Sequence, residues 1–327
     1  MKALVTGSNG FIGSTLVEKL RAQGLSVRCM VRKTSNLRWL ENMDVEFYYG
    51  DMRNVKSLHN AVKEVDIIFH LAGVTKARSE SGYLEGNYQG TLNLLNACKE
   101  VGHSDVKFIF VSSQAAGGPS SPDKPRTEFD SPHPISMYGK SKLMAEKAVM
   151  EFSGAFPVCI IRPPSVYGPK DKDIFVMFNT INKGFAPVLG SGKQKASLVH
   201  VDDLVDGMLL AALSPSANGK TFYLSGDGDY NWLAISKQIA HALNKKPLTI
   251  HVPFFMLDIV SFFSTAVARI NKKPALLNRD KVREMKQASW LCSNRRAKEE
   301  LGFNPKVELL DGLSATAEWY KKMGWFK

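Results

Sequence analysis

Lys2-Ala-Leu-Val-Thr6-Gly7-Ser-Asn9-Gly10-Phe11-Ile12-Gly13 opens the chain with a short apolar run, three glycines spaced three apart and the start of a segment of helical period. A strand, a glycine turn and a helix in that order are what a dinucleotide loop requires, because backbone N–H groups at the helix start then face an anion. Gly7 permits the tight turn, Gly10 lets the backbone approach a pyrophosphate with no Cβ between them, and Gly13 allows close packing of helix on strand. Asn9, Phe11 and Ile12 belong to the same loop and count with it as cofactor contacts.

From residue 2 to about 165, apolar runs alternate with longer segments of helical period. Strands are expected at 2–6, 26–31, 45–49, 67–71, 107–112 and 158–162, and helices near 11–23, 54–63, 81–101 and 136–153. That alternation predicts a Rossmann-type α/β fold, a doubly wound parallel sheet. Past residue 165 it gives way to Pro- and Gly-marked pieces with helices near 173–183, 202–213, 231–243, 254–268 and 308–322. The expected division is an NAD(P)-binding domain over 1–165 and a smaller, mostly helical substrate-binding part over 166–327. Segments near 198–225, the Asp202 helix and a strand at Thr221–Leu224, are expected to return to the main sheet.

The 327 residues carry 44% apolar and 23% charged side chains with no repeat period, a composition of ordinary globular proteins. Four scattered cysteines (Cys29, Cys98, Cys159, Cys292) with no CxxC pair argue against a disulfide framework and against structural zinc, so no metal is expected and a reducing cytoplasm is the simplest location. Because the first residues already read as a strand, no export signal is expected. The longest apolar run, 252–268, is short for a bilayer span and contains Asp258, so a core or substrate-covering helix is expected there. Lys245, Lys246, Arg269, Lys272, Lys273, Arg279, Lys281 and Arg283 flank it. With a formal charge of +12, they make peripheral membrane contact through 252–286, or an acidic substrate, a reading to test. No helix-turn-helix, RNP-like or zinc-finger pattern accompanies the charge, and nucleic acid is not an expected partner.

The second strand ends Val31-Arg32-Lys33, with no carboxylate to hold a ribose diol. A guanidinium at that place suits a 2′-phosphate, so Arg32, with Lys33 beside it, favours NADP(H) and leaves NAD(H) possible. Asp51 and Met52, after the third strand, can reach the adenine edge. Leu71, Ala72 and Gly73, after the fourth, are apolar or small residues where backbone must pass close to a ribose. Ser112 and Ser113 close the fifth strand, and about two dozen residues later comes Tyr138-Gly-Lys-Ser-Lys142. One helical turn separates Tyr138 from Lys142, so both side chains leave the same face.

GxxGxxG, the serine pair and YxxxK together resemble the extended short-chain dehydrogenase/reductase family. Further likenesses are Gly50-Asp51, His70-Leu-Ala, Asn87 with Gly90-Thr91-Leu-Asn93, Arg162-Pro163-Pro164-Ser165-Val166-Tyr167-Gly168 and Val199-His200-Val201-Asp202-Asp203-Leu204. The resemblance implies Tyr138 as general acid/base and Lys142 as partner of both the phenol and the nicotinamide ribose. It implies Ser113, ahead of Ser112, as the hydrogen-bond donor to the reacting oxygen, and Pro163, Ser165 and Val166 beside the nicotinamide. A neighbouring ammonium together with the positive nicotinamide should favour the phenolate of Tyr138. Asn87 reads as structural, and Asp202 as the cap of its helix.

Two residue choices bear on the reaction. Ser112-Ser113-Gln114 lacks the Asp-Glu pair of nucleotide-sugar dehydratases, and Ala196 stands where nucleotide-sugar epimerases usually place a diphosphate-gripping arginine. Val27 to Arg32 and the apolar helix look like the dihydroflavonol-4-reductase and 3β-hydroxysteroid-dehydrogenase branch. The resemblance therefore implies an NADP(H)-dependent oxidoreductase acting on a hydrophobic secondary alcohol or ketone. A nucleotide-sugar epimerase with tightly bound NAD(P) is the alternative, and a non-catalytic NADP-binding regulator the second. It also implies a homodimer through the helices near 81–101 and 136–153, although Leu92, Leu94, Leu95, Leu143 and Val149 suit an internal core equally well.

Overall fold

The computed structural model describes residues 1–271, 274, 275 and 277–326, and all their side chains but that of Arg269. The chain starts with β1 (Lys2–Thr6), α1 (Phe11–Ala22), β2 (Ser26–Val31), β3 (Glu46–Tyr49), α2 (Val55–Val62) and β4 (Ile67–His70). Next come α3 (Glu80–Tyr83), a π turn (Leu84–Gln89), α4 (Gly90–Glu100), β5 (Lys107–Val111), α5 (Gln114–Gly117), α6 (Met137–Glu151) and β6 (Val158–Arg162). Then follow β7 (Ser165–Tyr167), α7 (Asp173–Asn182), β8 (Phe185–Leu189), β9 (Lys195–His200), α8 (Val201–Leu213) and β10 (Lys220–Tyr223). The remainder is β11 (Asp229–Asn231), α9 (Trp232–Ala242), β12 (Leu248–Val252), α10 (Phe254–Ile270), α11 (Arg279–Met285), β13 (Ser289–Trp290), α12 (Arg295–Leu301) and α13 (Leu309–Lys322).

Seven strands form one sheet in the order β10-β6-β5-β4-β1-β2-β3, every neighbouring pair parallel. This is the expected doubly wound sheet, and its order reverses between β1 and β4, the switch point at whose carboxyl ends ligands bind. The central strands are apolar on both faces because helices cover both. One core joins Val5, Phe69 and Ile109 to α1 and α8; the other joins Ile68, Phe108 and Phe110 to Leu94, Leu95 and Val149. Leu94, Leu95 and Val149 are therefore internal core residues, while Leu92 and Leu143 are half-buried. Across the switch point His70 accepts or donates at both ring nitrogens, to Thr6 Oγ1 at 2.7 Å and Thr91 Oγ1 at 2.9 Å. Burial pushes its pKa down to about 3, so it pins β1, β4 and α4 as a neutral ring.

Three differences from the sequence reading matter for the site. The helix expected over 81–101 is broken by the π turn, whose wider winding aims Asn87 inward. There Asn87 accepts from Val74 N at 2.7 Å and donates to Val74 O at 3.0 Å and Ser141 Oγ at 2.9 Å. The cap of α8 is His200 rather than Asp202: its Nδ1 accepts from the backbone N–H of Asp202, while Asp203 accepts from Lys306 and Val307 N–H. Beyond β6, short sheets (β11-β9-β13 with β7 on β9, and β12-β8) were not expected. β7, β11 and β13, with three residues or fewer, are too brief for a period to register.

Candidate active site

The glycine loop packs against itself and against the fourth strand. Gly7 has φ +70°, and a Cβ there would lie 2.9 Å from Ala72 N; at Gly13 a Cβ would lie 2.2 Å from Gly7 O. Gly7 thus supplies a left-handed turn and a close approach to β4, whereas Gly13 makes room for the loop's own carbonyl. The loop opens into a cleft of about 610 Å³ at the carboxyl ends of β1, β4, β5 and β6. Gly7, Asn9, Gly10, Phe11, Ile12, Gly13, Leu71, Gly73, Ser112, Ser113, Tyr138, Lys142, Pro163 and Val166 all border it.

Six other residues expected at the cofactor lie outside this lining. Arg32 and Lys33 are exposed just past β2, Asp51 is bound by Arg53 at 3.0 Å, and Met52 packs over the start of α4. The N–H of Ala72 is turned to Thr6 Oγ1, and Ser165 stands exposed on β7. In their place the cleft uses Asn36, Arg38, Trp39, Thr75, Lys170 and Asp171, which no local motif marked. Arg38 lies 4.1 Å over the Trp39 ring and 5.8 Å from that of Trp325, and Trp39 packs on Trp319 at 5.5 Å. Lys170 is buried and paired with Glu18 at 2.8 Å. Asp171 accepts from the N–H groups of Asp173 and Ile174, and burial raises its carboxyl to about 6. Its own carbonyl accepts from Tyr320 Oη at 2.6 Å, so α13 holds this wall.

At the catalytic end the two serines separate. Ser112 is buried and donates to Glu146, which also receives Arg162 Nε at 2.9 Å and Nη2 at 2.6 Å, in a closed network that continues to Tyr223 Oη. Ser113 is half-buried and caps α5, and its hydroxyl lies against the Tyr138 phenol. Lys142 is buried one turn along α6 and donates to Val111 O at 2.9 Å. A Cβ at Gly73 would lie 3.3 Å from Lys142 Nζ and 2.8 Å from Asn87 Oδ1, so only glycine leaves this ammonium room.

Before cofactor binds, the phenolate is not favoured. Burial pushes the Tyr138 phenol up to about 12, more than the Ser113 hydroxyl lowers it. Burial also brings Lys142 down to about 8, with Glu146 opposing. Desolvation outweighs charge pairing because the ammonium is directed at a backbone carbonyl. Before cofactor binds, the centre therefore carries a proton on Tyr138 and, below pH 8, a cation on Lys142.

A second cavity of about 820 Å³ opens beside the first. Tyr83, whose ring centre is 6.4 Å from that of Tyr138, borders it together with Met137, Arg78, Arg279, Arg283, Lys286, Asp258 and Thr265. Among the described residues no cluster of His, Cys, Asp and Glu could hold a metal.

The model of the NAD dependent epimerase/dehydratase family matches residues 3–225. The ceramide reductase of Caulobacter vibrioides is 28% identical over 322 residues, 98% of this chain and 95% of that protein. The human sterol-4-alpha-carboxylate 3-dehydrogenase, decarboxylating, is 26% identical, with 98% of this chain and 89% of that protein covered. Among solved structures, the UDP-glucose 4-epimerase of Thermotoga maritima with UDP-glucose superposes with a TM-score of 0.81 at 25% identity, covering 99% of each chain.

Proposed function

The chain belongs to the NAD dependent epimerase/dehydratase family, and from that premise we propose that it is an NADP(H)-linked reductase/dehydrogenase interconverting a secondary alcohol and a ketone on a hydrophobic substrate. The observation that carries the choice of reaction lies on β9. Ala196, at the position where an epimerase's arginine is expected, is 2% exposed, and the neighbouring Lys195 donates to Pro122 O at 2.8 Å. A diphosphate would meet no guanidinium fork on that strand. The relatives named for ceramide and for a sterol carboxylate support a lipid-like substrate.

The glycine loop suits a pyrophosphate, since a side chain at Gly7 or Gly13 would fill the cradle. Lys142 would hold the nicotinamide ribose, and Arg38 on the cleft wall would favour a 2′-phosphate, with Arg32 and Lys33 exposed just past β2. NADPH, when bound, would supply the hydride for the carbonyl carbon. Tyr138, protonated at neutral pH, donates its proton to the carbonyl oxygen, leaving phenolate that regains a proton from solvent. Ser113 donates a hydrogen bond to the same oxygen and stabilises its developing charge. The Lys142 cation steadies the phenolate formed in that step.

Nucleotide-sugar epimerisation is the second reading, favoured by the arginines at 78, 279 and 283 in the cavity beside Tyr138. Two arms with purified protein separate the readings: NADPH oxidation with hydrophobic ketones, and interconversion of UDP- or GDP-sugars without net cofactor change. Net NADPH consumption, abolished in Tyr138→Phe while NADPH still binds, is the expected result. Sugar interconversion with no net oxidation would overturn it.

A further inference from the structure

Helix α10 carries its apolar stripe on the outside. Phe255, Ile259, Phe262, Phe263, Val267 and Ile270 recur at helical spacing and are between 50% and 80% exposed. Its inner face mixes apolar and polar side chains: Leu257 is 7% and Ser261 1% exposed, Phe254, Ser264, Thr265 and Ala268 are half-buried, and the Ser261 and Thr265 hydroxyls have no hydrogen-bond partner. α10 is therefore not buried as a core helix, although Asp258 and Thr265 border the cavity beside Tyr138 as a covering helix would. A monomeric protein seldom leaves so much apolar side chain in water. The apolar exposure continues in the ribbon leading into α10, where Leu248 of β12 pairs with Phe185 of β8 and both stand in solvent.

Charge says what covers it. Between residues 245 and 286 nine Lys and Arg face three Asp and Glu, half of the chain's excess of +12. Lys245 and Lys246, just before β12, and Lys281 and Arg283, on the α11 helix packed against α10, are exposed. Arg269, whose side chain is not described, and Lys272 and Lys273, which lie outside the described residues, belong to the same basic flank of the sequence. A second copy meeting this surface about a two-fold axis would bring like charges together, whereas anionic headgroups complement them.

We propose that α10 docks the protein in the plane of an anionic lipid surface, its phenylalanines among the acyl chains and the flanking lysines among the headgroups. None of the described helices is long and apolar enough to cross a membrane, so the contact is peripheral. Asp258 and Thr265 on the same helix border the cavity beside Tyr138, so a docked face would lie behind a wall of the substrate region. The proposal does not depend on which reaction the site performs.

Co-sedimentation of the full chain with vesicles of phosphatidylcholine alone, or mixed with phosphatidylglycerol, tests it. Binding to the mixed vesicles, weakened by salt, is expected. Phe262→Glu with Phe263→Glu, or Lys245→Glu with Lys246→Glu, should each weaken it about tenfold or more while NADPH binding persists. Should a charged variant lose NADPH binding through misfolding, Phe263→Trp carries the test: its fluorescence should be quenched by brominated lipid. No binding to mixed vesicles, binding that both pairs leave unchanged, or an unquenched tryptophan would overturn the proposal. So would a dimer in sedimentation equilibrium that the phenylalanine pair dissociates, with no vesicle binding.

Discussion

Gly13→Ala is the sharpest perturbation of the cofactor loop. The added methyl would lie 2.2 Å from Gly7 O and 2.9 Å from both Gly7 C and Ser8 Cα, roughly 1 Å inside the shortest tolerable contact with the oxygen. All three atoms are backbone, so no side chain can swing away. Gly7 cannot retreat either, because its own Cβ position already lies 2.9 Å from Ala72 N and its carbonyl accepts from Gly10 N at 3.0 Å. Overpacking of this kind costs about 1–3 kcal/mol, which, if taken up by the loop, weakens cofactor binding by about 5- to 150-fold. If α1 moves off β1 instead, the cost appears in the stability of the free protein. Fluorescence titration with NADPH, paired with a urea melt without cofactor, reads both places. Gly154→Ala, with no atom within 4 Å of the new methyl, is the neutral control. A Gly13→Ala protein with the control's affinity and stability would refute the geometric account of this glycine.

Lys142 should impose a pH limit on ketone reduction. Its pKa is lowered to about 8, so the cation prevails below that pH and is lost above it, while Tyr138, raised to about 12, keeps its proton throughout. The kcat/KM of reduction should accordingly fall above about pH 8, and the residual rate of Lys142→Met should lack that limb; initial rates across the alkaline range check this. Glu146→Gln leaves Arg162 buried without its counter-charge and should cost about 3–5 kcal/mol in urea unfolding. Adding Arg162→Met should restore part of it. For the cofactor, Arg38→Ala should reduce the preference for NADPH over NADH more than Arg32→Ala does, because only Arg38 borders the cleft; competitive titration of the two cofactors measures this.

The parallel sheet and its switch point were legible because six strands and four helices are marked by local patterns before residue 165, and β1, β2 and β6 fall within the expected bounds. The cleft was legible where it is built from one loop. Where distant segments converge it was not: Arg38 and Trp39 reach it by stacking on Trp319 and Trp325, and Lys170 and Asp171 by contacts with α1 and α13. The sequence brings Tyr138 and Lys142 to one helical face but says nothing of how dry that face is, and it is burial that sets the phenol's pKa before cofactor binds. The exposure of α10 was hidden for a related reason. Composition marks the helix as apolar, and only its packing shows that Leu257 and Ser261 face inward while Phe255, Phe262 and Phe263 stand in solvent.

The stacking of residues 319–325 on residues 38 and 39, with the bond from Tyr320 to the Asp171 carbonyl, has a consequence for biosynthesis. The phosphate loop leaves the ribosome some three hundred residues before the aromatic side chains that brace the opposite rim of the same cleft. A nascent chain can therefore fold its sheet and present a glycine turn long before it has a complete nucleotide pocket. Cofactor capture then waits on residues 319–325 rather than on the glycine loop.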